Sequence, residues 1–396
     1  MPLVCGAAEW SAEPSVKVRR EYNDNIRLTI HPHNSVNGSV ITPSLDFGVS
    51  APIWRISGGA EATQRRYSGE GDLDRDDNLA RLSSVYKTER QTWALDANRT
   101  RDSVLSDEAT SSDTGVIQVQ KKRESSSVKP VWTWMFSERT QMQLAYQLNN
   151  VSYENAQSAG LYDYSYRAAT ATFANQLSEL NQVFVTAGYS AYHVPATGFD
   201  SNSRNFQAGI TRTFSETTRG TLQAGRRKTE SLTQGGKPVY TRFSTMLGDF
   251  LVQTGVTQDA RSQTTSSVFS GNLESKFENT RLNMSFNRAL DPSGSGGQVE
   301  QDTFKFDLNR QLTARASVNA TANVRKVRAT EGNISSDERT YYDLGPSVYW
   351  QWTREWTVGA NYRYARVKRV YEDRAAASRT TYLALTYRPL KMSISR

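Results

Sequence analysis

Along much of the chain, apolar and polar residues alternate with period two, the signature of strands with two unlike faces. After Thr140, Met142, Leu144, Tyr146 and Leu148 fall on one face and Gln141, Gln143, Ala145, Gln147 and Asn149 on the other. Val183, Val185, Ala187, Tyr189 and Ala191 continue the rhythm, as do Leu282, Met284 and Phe286, then Ala316 to Val324, then Trp356 to Tyr364. These runs last about 10 to 14 residues, longer than the strands of soluble sandwiches and suited to the ~9 to 11 residues of a tilted strand crossing a membrane. Rows of small residues such as Ala316, Ala320 and Ala322 would fill a protein core badly, whereas acyl chains conform to any shape. The pattern therefore predicts an all-β fold, a closed antiparallel transmembrane β-barrel.

A polar phrase marks the starts of these runs. Phe136-Ser137-Glu138-Arg139-Thr140 returns as Leu177-Ser178-Glu179-Leu180-Asn181, as Phe214-Ser215-Glu216-Thr217-Thr218 and as Phe277-Glu278-Asn279-Thr280. Hydroxyl side chains satisfy turn backbone and charges hold a turn in water, so the phrase reads as a short periplasmic turn. Similar turns are expected at Ser50-Ala51, Glu89-Arg90, Gln311-Leu312 and Arg354-Glu355. Because 62 residues separate Glu216 from Glu278, a ninth is placed at Leu247-Gly248-Asp249. Nine short turns predict about 20 strands, with 18 as the alternative, since even numbers are the rule for single-chain bacterial barrels. The longer acidic, Gly/Ser-rich segments 68–77, 101–115, 291–302 and 330–338 are assigned to the external side. Trp132, Trp134, Phe136, Tyr349, Trp350, Trp352 and Trp356 gather beside the turns, as membrane-interface aromatics do.

Composition agrees with a barrel. Only 37% of the 396 residues are apolar and mean hydropathy is −0.64, with no stretch near the ~20 apolar residues of a transmembrane helix. There are 19 Tyr, 14 Phe and 8 Trp, which favour strands. Net charge is +8, but Lys and Arg are scattered among acids, as in "RYARVKRVYEDR", which predicts solvated strand positions and membrane-interface charge rather than a nucleic-acid partner. Cys5 is the one cysteine, and Gly6-Ala7-Ala8 resembles the small-residue end of a secretory leader. Residues 1–13 are accordingly expected to be a truncated leader or disordered N-terminus, 14–389 the barrel and 390–396 a tail.

The stretch "VRREYNDNIRLT" (Val18 to Thr29), followed by "VITPSLDFGVS" (Val40 to Ser50), resembles the first hairpin of a porin-like family of bacterial outer-membrane β-barrels. Tyr22-Asn23-Asp24-Asn25-Ile26 carries most of the likeness, helped by the S-E-R-T turns and by Tyr382 to Pro389. The resemblance implies residence in the outer membrane and, because such proteins often accompany exopolysaccharide or exosortase systems, export of a polysaccharide with a periplasmic partner. Such barrels commonly close on an aromatic-ended strand. Here "RPLKMSISR" follows Tyr387; since Pro389 cannot donate to a ladder, Tyr387 is expected to be that aromatic and the last residues a tail, the alternative being a strand that continues through Met392 and Ile394.

For function, parity nominates Arg281, Lys305, Asp307, Arg315, Arg325, Arg363 and Arg388 as lumen or selectivity residues. Cationic side chains along a pore favour anions, which points to acidic saccharide or small anionic solutes. No segment looks long enough to serve as a folded-in constriction loop of the trimeric-porin kind and no plug domain is expected, so the pore is expected to be narrowed by inward side chains, by modest loops or by a partner. A structural or adhesive barrel touching outer-membrane lipid and lipopolysaccharide is the alternative. An outer-membrane hydrolase is the weaker one: of His31, His33 and His193, only His193, near Asp200, lies mid-chain, and no Gly-x-Ser-x-Gly or His-Glu-x-x-His occurs. Asp72, Asp74, Asp76 and Asp77 lack the spacing of an EF-hand loop and read as a solvated acidic loop. No catalytic residue, metal or cofactor is assigned.

Overall fold

A computed structural model describes residues 8–32, 34–68, 73–104, 121–155, 159–245, 248–330, 338–370 and 374–395, with no side chain described within 235–258, at 329 or at 394–395. Cys5 and His33 lie outside the described residues. The strands are β1 (Glu9–Asn23), β2 (Val36–Ser50), β3 (Trp54–Ser68), β4 (Arg75–Lys87), β5 (Gln91–Ser103), β6 (Lys122–Met135), β7 (Thr140–Tyr153), β8 (Tyr164–Gln176), β9 (Asn181–Val194) and β10 (Phe199–Ser215). They continue as β11 (Thr218–Thr245), β12 (Gly248–Lys276), β13 (Thr280–Ser293), β14 (Gly297–Gln311), β15 (Ala316–Ala329), β16 (Arg339–Gln351), β17 (Trp356–Arg369), β18 (Ala376–Tyr387) and β19 (Met392–Ser395).

From β1 to β18 each strand pairs antiparallel with its chain neighbours, and the sheet closes because β1 also pairs with β18 and β19. Val16–Asn23 runs against Thr380–Tyr387, and Glu9–Ala12 against Met392–Ser395. The last two strands thus occupy one place in the wall, and nineteen segments make an 18-strand barrel. The final strand breaks between Tyr387 and Met392, where Pro389 has no N–H to give, then resumes; Lys391 Nζ spans the break to Glu13 at 3.5 Å. The expected boundaries therefore shift at both ends. Pairing begins at Glu9 rather than 14, and the segment expected to be a tail returns to the ladder.

Eight of the nine expected short turns lie together at one end. The ninth does not. Leu247-Gly248-Asp249 falls at the far end of the long β11–β12 hairpin, where Thr245 pairs with Gly248 and where residues 246–247 are not described. Without that turn the count drops from 20 strands to 18. The turn phrase does the work its composition predicts: Phe136 N–H donates to Thr140 O at 3.0 Å, and Ser137 Oγ accepts the Thr140 N–H at 3.1 Å. Ser178 with Asn181, Thr313 with Ala316 and Thr353 with Trp356 repeat that hydroxyl contact at 3.1, 3.0 and 3.1 Å.

Exposed large apolar side chains fall on one parity of each strand, for instance Trp10, Val16 and Val18 on β1 and Leu144 and Tyr146 on β7. They form a belt around the outside. Trp93, Trp132, Trp134 and Phe136 stack in series there, with centroids 5.4, 5.9 and 4.6 Å apart. Trp356 lies 4.8 Å from Tyr387, and Trp350 and Trp352 are exposed nearby. Tyr349 does not join them. Its parity is opposite to that of Trp350, and its ring faces inward against Gly359, where an added Cβ would approach it to 2.9 Å. A closed barrel leaves no unpaired edge in hydrocarbon, and its apolar outside matches acyl chains; this is an integral outer-membrane protein.

The two faces give opposite expectations for one substitution. Leu144→Arg, within the belt, should cost about 2–4 kcal/mol, whereas the neighbouring inward Gln143→Arg should change stability by less than about 1 kcal/mol. Denaturant unfolding of the vesicle-inserted barrel would check this, and equal costs would contradict the assigned faces.

Candidate functional site

The inner face is polar, and two segments fold into the mouth opposite the short turns. The first is the β1–β2 loop, residues 24–35. Asn25 is buried; its side chain donates to Thr29 O at 2.7 Å and to Ala377 O at 2.9 Å. Asp24 N–H donates to Arg379 O at 3.2 Å, and Asp24 Oδ1 accepts the Arg379 N–H at 2.7 Å. These bonds carry Leu28 inward, where it packs with Tyr341, Ala365, Val367 and Ala376 on β16, β17 and β18. Leu28 has φ 50, a left-handed conformation costing about 1–2 kcal/mol in a residue with a Cβ, which burial of the side chain offsets. Arg369 donates to Leu28 O at 3.2 Å, and Arg325 and Arg339 stand 5.3 and 5.5 Å from the centre of the Tyr341 ring.

The second is the β13–β14 hairpin. β13 pairs with β12 only from Arg281 to Arg288, then continues with β14 alone to a turn at Gly294–Gly296. That turn reaches past β10, β11 and β12 to the wall at β8 and β9. Tyr162 N–H donates to Gly294 O at 2.9 Å, and the inward Tyr192 hydroxyl donates to Ser293 O at 2.8 Å. The tip meets the wall beside an apolar cluster formed by Val151, Tyr153, Leu161, Tyr164, Tyr192 and Val194. Lower in the hairpin, Glu300 lies 3.6 Å from Arg227, which is on the inner face of β11. β14 can reach that face only by passing inside the wall. Asp302 and Glu300 meanwhile hold Arg288 and Arg328, at 2.6 Å for Arg288–Asp302 and 3.2 Å for Arg328–Glu300. Two modest segments thus narrow the mouth, and 291–302 is a hairpin rather than an acidic loop.

Between the β1–β2 loop and the wall of β1, β3, β4, β17 and β18 a cavity of about 430 Å3 remains. Ile26 and Leu28 line it together with Arg19, Glu21, Glu61, Arg65, Tyr67, Arg75, Asp77, Arg363 and Tyr382. Most of its charges are paired. Glu21 accepts from the Tyr67 hydroxyl at 2.5 Å and from Arg19 at 2.6 Å, Asp102 is held by Arg123 at 2.7 Å, and Arg363 meets Asp343 at 2.5 Å.

The nominated lumen residues divide. Arg325 and Arg363 are on the inner face, the latter at the cavity, and Arg281, Lys305 and Asp307 line the lower inner face of β13 and β14. Arg315 sits instead in the β14–β15 turn, where its N–H donates to Thr313 Oγ1 at 3.2 Å. Arg388 lies in the break after β18, its N–H donating to Glu355 O at 2.8 Å, so both belong to the short-turn rim. Parity did not nominate Arg19, Arg65, Arg75, Arg123, Arg227, Arg339 and Arg369, because it was carried only through strands with clear alternation. His193 Nδ1 is 2.6 Å from Asp200 Oδ1, with both side chains well exposed on the outer face, a surface pair rather than a base held in a cleft. Asp76 and Asp77 bind Arg66 and Arg65 of β3, and Asp74 accepts the Tyr67 N–H, so these three cap β3. Among the described residues no group of three or more His, Cys, Asp or Glu is placed to hold a metal.

No family model and no curated protein matches the chain. Among solved structures it is similar to Pseudomonas aeruginosa OccK9 (OpdG), with 9% identity, 97% of this chain and 98% of that one covered, and TM-score 0.45. It is also similar to Acinetobacter baumannii OccAB2, with 10% identity, 97% and 98% covered and TM-score 0.44. The siderophore receptor PiuA from Acinetobacter baumannii gives 9% identity, 96% and 82% covered and TM-score 0.45. At this likeness no substrate transfers, and fold and location rest on this barrel's own ladder and outer surface.

Leu28→Ala should release the β1–β2 loop, since removing a buried leucine costs about 2–5 kcal/mol of packing. Trypsin should then cut vesicle-inserted protein after Arg27 while leaving the wild type intact, with heat-modifiable gel migration unchanged. Equal resistance would contradict the anchor.

Proposed function

We propose that the protein is an outer-membrane channel for small polar solutes with a preference for anions. One observation carries this reading. Among the described residues, the charged residues buried as a whole are Glu21 and five arginines, Arg123, Arg227, Arg325, Arg339 and Arg369. All point inward while the outside is apolar, so the wall places its costly buried charge in the lumen, where arginine outnumbers acid among the most deeply buried residues. An 18-strand barrel is wide enough for a water-filled path, and the two inward segments narrow it.

Within anionic solutes, acidic saccharides remain the finer reading. The inward segments favour monomers and short oligomers over a long exported chain, because Leu28 and the β13–β14 tip would both have to leave their anchors for a polymer to thread the mouth. A purely structural barrel is the alternative outcome of the test.

In planar bilayers under a KCl gradient, the reversal potential should report chloride preference. Arg363→Gln and Arg281→Gln should each reduce it, and Arg315→Gln, at the rim, should leave it unchanged. Cation preference would contradict the anion reading, and a silent barrel would indicate a structural role.

A further inference from the structure

Resting on that channel reading, we infer that the cavity roofed by Ile26 and Leu28 is a binding site for a small hydroxylated carboxylate of sugar-acid size. Arg65 and Arg75 are direct partners across β3 and β4, and both side chains line the cavity. Two guanidinium groups so placed repel unless anions lie between them. Asp77 is the anion present, with Oδ2 at 3.0 Å from Arg65 Nε and 3.5 Å from Arg75 Nε. Asp77 alone bridges the two, and the next carboxylate, Glu21, is already held by Arg19 and Tyr67, so the Arg65–Arg75 pair is short of one anionic partner.

The shortfall is localised by hydrogen bonding. The Arg75 side chain is 7% exposed, yet its Nε and Nη1 make no hydrogen bond, nor does Arg19 Nε. Each unsatisfied buried donor has lost its water without gaining a partner, which is unfavourable. Asp77 Oδ1 is buried and also without a partner. An ionised carboxylate only accepts, so it asks for an O–H or N–H. The site thus presents unused donors bearing positive charge beside an unused acceptor.

A ligand that completes it must bring both an anion and a hydroxyl. A halide or fully ionised anion leaves Asp77 Oδ1 bare, and a neutral sugar leaves the Arg65–Arg75 pair short of its anion. A hydroxy acid supplies both, its carboxylate on Arg75 and a hydroxyl on Asp77. Further polar groups of the cavity, Thr63, Glu61, Asn361 and Thr380, suit additional hydroxyls. The volume of about 430 Å3 is within the ordinary range for small-ligand sites.

Isothermal titration of the full chain in detergent micelles tests the assignment, with sodium glucuronate, glucose and inorganic phosphate as probes. Glucuronate should saturate and bind at least about tenfold more tightly than glucose or phosphate, and Arg75→Gln should weaken it by at least about tenfold, the loss of one charge-assisted hydrogen bond. Arg315→Gln should bind as the wild type does. Absence of glucuronate binding, phosphate or glucose binding as tight as glucuronate, or an unaltered Arg75→Gln would each overturn the assignment. Should Arg75→Gln fail to show heat-modifiable migration, the wild-type probe series decides alone. Chloride-selective conductance without glucuronate binding would overturn this site and leave the channel; glucuronate binding by a barrel that does not conduct would do the reverse.

Discussion

The constraint that organises the molecule is that no backbone N–H or C=O can be left unpaired in hydrocarbon, so the sheet must close on itself. Closure falls on β1, which pairs with β2 along its whole length on one side and with β18 and β19 on the other. Its opposite partner is interrupted only between Tyr387 and Met392, and that interruption faces Glu13–Ser15, a segment that itself contains Pro14. Prolines on both sides confine the missing donors to one place near the short-turn end, where water can serve the remaining carbonyls. Everything else follows from a closed ring: one face for lipid, one for the lumen, and two ends.

Closing 18 strands creates a second problem, because a lumen of that width is not filled by side chains alone. The chain meets it with the β1–β2 loop and the β13–β14 hairpin. Each is anchored by a few buried apolar groups, Leu28 for the first and the cluster around Tyr192 for the second, combined with backbone hydrogen bonds to the wall. Between and beneath them the inner charges are arranged in shared pairs, as with Asp77 between Arg65 and Arg75 and Asp102 with Arg123. Such sharing limits the desolvation cost of each ion. It also fixes the geometry of the lumen.

Much of the fold was legible because it depends on local period and turn chemistry. Alternation identifies the wall strands, and the hydroxyl of Ser137 or Thr353 marks a turn whose bonds span only a few residues. The errors arose where long-range contact decides. Spacing alone placed a short turn at Gly248, and nothing local distinguishes it from the end of an overlong hairpin. Tyr349 was grouped with Trp350 by proximity, although adjacent strand residues point oppositely. The inward course of 291–302 depends on Tyr192, 101 residues from Ser293 in sequence. Asn23, Asp24 and Asn25 were noticed for their likeness to a known hairpin, but their role in pinning the loop to β18 needs the ring to be closed. Arg75 and Asp77 became a site only when β3, β4 and β18 shared one wall.

The central claim is that the β13–β14 hairpin crosses inside the barrel and locks onto the wall at β8 and β9. It is tested most directly by pairing cysteines where the tip meets that wall, at Tyr162→Cys and Gly294→Cys in a Cys5→Ser background, and oxidising the folded, vesicle-inserted protein. Their main chains are joined by a 2.9 Å hydrogen bond, so the account predicts rapid, nearly complete disulfide formation with heat-modifiable migration preserved. A folded barrel whose two cysteines stay reduced would contradict it.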